Sequence, residues 1–184
     1  NKGVFLPPLL DKSIFSSPGN EKYEGLQRAF RQYGKELCLL TVEECSGKAD
    51  VLAARLKKLA PDAVFCSNDY FAGRLVSTLL EHGFRIPEEV KVIGYDGLAL
   101  CDLCAVPLAT VIQPIRRKAE LTAELLLKRI REGNTEAPAE QIAVEPYFYP
   151  SASCGEPSRL LGEFPLYDDR PSLEMTWTEY FFHP

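Results

Sequence analysis

Three points in the chain place hydrogen-bonding side chains where an apolar run gives out. Asp62 to Ser67 is followed by Asn68-Asp69, and Val90 to Tyr95 is followed by Asp96. The apolar stretch from Val4 to Leu10 leads into a loop carrying Ser16, Ser17, Asn20 and Lys22. An amide, two carboxylates and a cation together offer several donors and acceptors. Gathered at one rim in a half-dry cleft, they suit a small neutral polyhydroxylated or heterocyclic ligand. Each signal also has a local reading. Asn68-Asp69 before a helix is a good N-cap, and Asp96-Gly97 is a common turn pair. Their coincidence at matching strand exits is what favours binding.

Other chemistry finds little support. Cys101-Asp102-Leu103-Cys104 is a CxxC, but a zinc site needs a second pair, and His82 and His183 lie far off in sequence. Asp96 and Asp102 form no acid-base pair, because no nucleophile or base motif accompanies them. Gly94-Tyr95-Asp96-Gly97 has too few glycines and the wrong neighbours for a phosphate loop. The sequence therefore reads as a binding module and not an enzyme, with no cofactor and no metal.

The elements that must position these residues alternate. Strands are expected at Val4 to Leu10, Glu36 to Val42, Asp62 to Ser67, Val90 to Tyr95, Leu108 to Ile112 and Gln141 to Tyr149. Between them run helical patterns. Tyr23, Leu26, Phe30 and Tyr33 end at Gly34, and Leu52, Leu56 and Leu59 lie within Asp50 to Ala60, stopped by Pro61. Ala72, Leu75, Val76, Leu79 and Leu80 are closed by Gly83, and a long helix from about Ile115 to Glu132 ends at Gly133. Strand and helix in alternation imply βαβ units, hence an α/β fold: a doubly wound parallel sheet with helices on both faces. In such sheets ligands bind beyond the carboxyl ends of the strands, where the polar groups fall.

The bulk properties narrow the partners. The chain has 184 residues and a formal charge of −5, with no basic block to displace counterions from a duplex. Lys57-Lys58 and Arg116-Arg117-Lys118 sit in helical patterns beside acidic residues and read as solvated faces. The apolar runs are too short to span a bilayer. Six cysteines at irregular spacing, with Cys38 and Cys66 inside apolar runs, fit reduced thiols in a cytoplasmic protein. The lack of an initiator Met marks an expected piece of a longer polypeptide. Residues 156–184 form an acidic, aromatic-rich extension, distinct from the domain expected over residues 1–155.

The stretch Pro61-Asp62-Ala63-Val64-Phe65-Cys66-Ser67-Asn68-Asp69 continues through Gly83-Phe84-Arg85-Ile86-Pro87-Glu88-Glu89-Val90 into Val92-Ile93-Gly94-Tyr95-Asp96. Pro107-Leu108-Ala109-Thr110-Val111, Gln113-Pro114-Ile115 and a helix with Ala123-Glu124-Leu125-Leu126 follow in order. This ordered set resembles the effector-binding domains of LacI/GalR-type transcription regulators, whose fold is that of type I periplasmic binding proteins. The resemblance implies mainly the C-terminal, second lobe of that fold, with one segment of the first. It implies ligand-binding roles for Asn68, Asp69 and Asp96, and a place for Gln113 near the hinge between lobes. Lys22 stands where the family usually has an effector-binding Arg, and a point donor there replaces a planar fork. A small-molecule effector, expected to be a sugar or related metabolite, is implied, with a homodimer and DNA contacted by a module absent from this chain. A periplasmic sugar-binding protein of a transporter is the alternative. By the same resemblance, the helix from Ile115 to Glu132 belongs to the first lobe, and its Leu121, Leu125, Leu126 and Ile130 are expected to need cover from elsewhere.

Overall fold

A computed structural model of the chain describes residues 2–6, 17–40, 48–133, 138 and 140–157. Six strands form one sheet: β1 (Lys2–Leu6), β2 (Glu36–Leu39), β3 (Ala63–Cys66), β4 (Lys91–Asp96), β5 (Ala109–Ile112) and β6 (Tyr147–Tyr149). Among the described residues, four α-helices accompany them: α1 (Ser17–Gln32), α2 (Ala49–Leu59), α3 (Asp69–Glu81) and α4 (Ile115–Glu132). The spatial order is β2-β1-β3-β4-β5-β6. Pairs from β2 through β5 are parallel, and β6 closes the edge antiparallel to β5. The expected parallel sheet is therefore present with one antiparallel edge strand.

Alternation along the strands divides the core in two, as the period of two requires. Val4, Leu6, Val64, Cys66 and Val92 pack with Leu56 of α2 and with Leu75, Val76 and Leu79 of α3. Phe5, Ala63, Phe65 and Ile93 face the other way, toward Phe30, Tyr23 and Leu26 of α1. Phe30 meets Phe65 edge-to-face at 5.7 Å between centroids, an arrangement that suits the ring quadrupoles. Both faces are covered, so the sheet is doubly wound.

The helix ends follow local rules. Asn68 accepts from the Phe71 amide at 3.0 Å and so caps α3, and Gly83 after it takes φ +77°. The helices at Asp69–Glu81 and Ile115–Glu132 fall where the periodicity placed them. One strand expectation was too long: of Gln141 to Tyr149 only Tyr147–Tyr149 pairs. Of Glu36 to Val42, Glu36–Leu39 is strand and Leu40 follows it. Residues 7–10, 41–42 and Ser16, and the extension from 158 onward, lie outside the described residues. The loop from Gly97 to Pro107 contains a 3₁₀ turn at Ala99–Leu103.

Helix α4 stands apart from this packing. None of its residues is buried, and Leu126 and Ile130 are 58% and 66% exposed. Leu121 and Leu125 are half-buried. Among the described residues, no helix is long and apolar enough to cross a membrane.

Candidate functional site

The carboxyl ends of β3, β4 and β5 converge with the start of α1. Lys22, Asn68, Asp69, Asp96 and Gln113 all lie at this edge, yet the sheet treats them differently. Ser17 and Asn20 fall in the first turn of α1, just ahead of Lys22.

Asp96 is the centre of the cluster. Gln113 Nε2 donates to its Oδ1 at 2.7 Å, and Lys22 Nζ stands 4.0 Å from the same oxygen. Oδ2 has no partner among the described residues, and about a third of the side chain (32%) is exposed. Its backbone sits at φ +113°, a region that costs a non-glycine residue of order 1–3 kcal/mol. Strict alternation would turn Asp96 to the face of Val92 and Gly94. The positive φ re-aims it toward Lys22 and Gln113. Gly97 follows at φ +78° with Ile112 close against it, so the turn after β4 is built from two left-handed residues.

Lys22 reaches this point from α1. Its ammonium donates to the Ser67 carbonyl at 3.0 Å and lies 3.8 Å from the centroid of the Tyr95 ring, a cation–π contact. Burial holds its pKa below the usual lysine value, while the Asp96 and Asp69 carboxylates pull the other way. Asn68 spends its carbonyl on the helix cap and leaves its Nδ2 without a partner among the described residues. Gln113 follows β5 directly, and its amide bridges Asp96 to Lys118: the Lys118 ammonium donates to Oε1 at 2.6 Å.

Asp69 differs from the expectation that it would meet a ligand. It is fully buried, with Leu98 N–H donating to Oδ2 at 2.7 Å and the Thr110 hydroxyl donating to Oδ1 at 2.6 Å. Gly94 leaves the space that its carboxylate fills, since a Cβ there would collide with Asp69 Oδ1. Burial pushes the Asp69 pKa up, against the opposing pull of Leu98 N–H, Thr110 and the Cys101 thiol. This carboxylate ties α3 to the loop after β4 and to β5, beneath the cluster.

Two residues of this region were not singled out in the sequence. Thr110 is one hydroxyl in the aliphatic run Leu108 to Ile112, and that oddity was the available signal. Lys118 belongs to the run Arg116-Arg117-Lys118, which in the sequence reads as a solvated face. The two arginines do sit exposed against Glu120, but Lys118 is half-buried against Gln113. Cys101 is buried and burial raises its pKa strongly, so its thiol is poorly reactive. Among the described residues, no group of His, Cys, Asp and Glu is arranged to hold a metal ion.

A mostly parallel α/β sheet with an antiparallel edge strand, and with polar side chains gathered at the carboxyl ends of β3, β4 and β5, defines a lobe of the periplasmic-binding-protein type. Residues 14–154 match the periplasmic binding protein-like domain, and the chain belongs to that family. Within it, the similarity runs to LacI/GalR-type proteins. The chain is 37% identical over 117 residues to the HTH-type transcriptional repressor PurR of Vibrio vulnificus (strain CMCP6), covering 61% of this chain and 35% of that protein. It is 49% identical over 76 residues to the PurR repressor of Vibrio atlanticus (strain LGP32), covering 41% of this chain and 23% of that protein. The chain thus spans about a third or less of the length of these curated relatives. Among solved structures, a LacI family transcriptional regulator from Enterococcus faecium with bound ribose aligns at a TM-score of 0.64 and 29% identity, covering 83% of this chain and 55% of that one. The lac repressor dimer bound to operator and the anti-inducer ONPF aligns at 0.64 and 16% identity over 84% of this chain and 45% of that one, a likeness of fold.

Proposed function

We propose that this chain is the ligand-sensing part of a LacI/GalR-type transcription regulator. A small molecule, a sugar or related metabolite, binds at the edge formed by Lys22, Asn68, Asp96 and Gln113. The observation that carries this reading is Asp96: a partly exposed carboxylate with one oxygen free among the described residues, held in a costly backbone conformation between a cation and an amide. Such strain persists where a site needs a side chain aimed one way. Asn68 Nδ2 and the Lys22 ammonium add donors beside the Asp96 acceptor, and Tyr95 adds an aromatic face. Asp69 supports the site from beneath, through Leu98 and Thr110. The relatives named as repressors favour a regulator over a transporter component. The ribose held by the Enterococcus faecium regulator makes D-ribose the first probe.

The regulator works as a cytoplasmic homodimer and touches DNA through a module outside this chain, since a net charge of −5 suits no duplex surface. Helix α4 belongs to a first lobe, which accounts for a long amphipathic helix without a buried residue. Effector and operator binding are then linked through the arrangement of the lobes. The test is Asp96→Ala in the full-length regulator, followed by calorimetry with D-ribose, cellobiose and lactose and by operator titration. Loss of a hydrogen bond to a charged group should weaken effector binding roughly ten- to a hundred-fold. Operator affinity without effector should survive. Unchanged effector affinity and unchanged coupling in Asp96→Ala would refute the assignment.

A further inference from the structure

Gln113 touches two groups of opposite character. Asp96 Oδ1 can only accept a hydrogen bond when ionised, and the Lys118 ammonium can only donate one. The carboxamide meets both demands in one orientation, with Nε2 toward Asp96 at 2.7 Å and Oε1 toward Lys118 at 2.6 Å. Without Lys118, the Nε2–Asp96 bond alone, among the described contacts, holds the amide in this orientation. Lys118 closes the first turn of α4, on the same half-buried stripe as Leu121 and Leu125, while the apolar Leu126 and Ile130 project outward.

We propose that Lys118 is a positioning residue of the ligand site, acting through Gln113. By fixing the amide it keeps a donor on Asp96 Oδ1 and leaves Oδ2 as the acceptor offered to a ligand hydroxyl or N–H. An amide tied at Nε2 alone holds Asp96 less firmly, and the carboxylate is then freer to shift off the edge. Lys118 thereby favours ligands that present a donor to Asp96. The assignment rests on the reading of Asp96 as a ligand-binding residue, and it adds a residue outside the cluster at the strand ends.

The test has a ligand-free and a ligand-bound arm. Side-chain amide exchange of Gln113, followed by NMR on the chain labelled at glutamine, reads how firmly its Nε2 protons are held. Lys118→Met keeps the length and removes the donor, and should lower protection of the Gln113 Nε2 protons about tenfold. Lys118→Arg, which keeps a donor, should retain most of it. In the full-length protein, Lys118→Met should weaken binding of a hydroxyl-rich probe (D-ribose, cellobiose or lactose) by a similar factor. In a Gln113→Met background the same change should have no effect, since the effect passes through Gln113. Unchanged Gln113 protection in Lys118→Met, or an equal loss of affinity with and without Gln113, overturns the assignment and leaves the Asp96 reading standing. If no probe binds, or Asp96→Ala binds as well as the parent, the ligand reading fails and the positioning role falls with it.

Discussion

Two aspartates stand at the ends of neighbouring parallel strands, and the sheet uses them in opposite ways. Asp69, just beyond β3, is fully buried with both oxygens satisfied by Leu98 and Thr110. Asp96, at the end of β4, is partly exposed, strained, and has one oxygen free among the described residues. The difference lies in their surroundings, not in their chemistry. Gly94 makes room for one carboxylate inside, and a positive φ turns the other out. A carboxylate at a strand exit is thus a structural tie or a presented acceptor, according to which donors already face it.

The largest expected effect falls on the buried member. Asp69→Ala orphans the Leu98 amide and the Thr110 hydroxyl, and should destabilise the chain by about 3 kcal/mol or more, read by urea unfolding. A loss below about 1 kcal/mol would mean that water or a rearranged loop replaces the tie. Gly94→Ala attacks the same contact from the other side. Overpacking against the carboxylate should cost about 1–3 kcal/mol, and combining it with Asp69→Ala should cost less than the sum.

At Asp96 the balance reverses. Asp96→Gly loses the contacts with Lys22 and Gln113 but relieves the φ of +113°, so stability should stay within about 1 kcal/mol of the parent. Thermal melts of the chain check this, and a large loss would show that Asp96 is a structural tie like Asp69.

A smaller effect comes from pH. Burial raises the Asp69 pKa above 3.8, so the folded chain binds that proton more tightly than the unfolded one. In the interval from 3.8 up to the raised midpoint, the native state therefore holds more protons, and Asp69 makes stability fall as pH rises. Asp69→Asn should remove this component, measured as the difference in unfolding free energy between parent and variant across the acid range. A difference that does not vary with pH would contradict the buried-charge account. The smallest effect is expected on the exposed face of α4. Leu126→Gln should change the stability of the chain by less than about 0.5 kcal/mol, because no packing is lost.

Much of this molecule was legible in the sequence, and the reasons are local. The heptad-like stripes ending at Gly83 and Gly133, the apolar runs at Val64 and Val92, and the Asn68 cap all depend on neighbours within a turn or two, so periodicity and capping rules reach them. Strand length was less legible. Ile142 and Val144 continue an apolar pattern, but only Tyr147–Tyr149 finds a partner in β5, because pairing depends on what lies alongside. The sequence also brought Lys22, Asn68, Asp69 and Asp96 to one edge, since sheet topology alone sends strand exits there. Only the tertiary structure separated Asp69 from Asp96, because the deciding atoms, Gly94, Leu98 N–H and Thr110, come from other elements. Lys118 likewise looked like one of three solvated cations until the chain turned at Gln113-Pro114. The residue types were written locally, while burial and the donors facing each side chain came from segments far away in the chain.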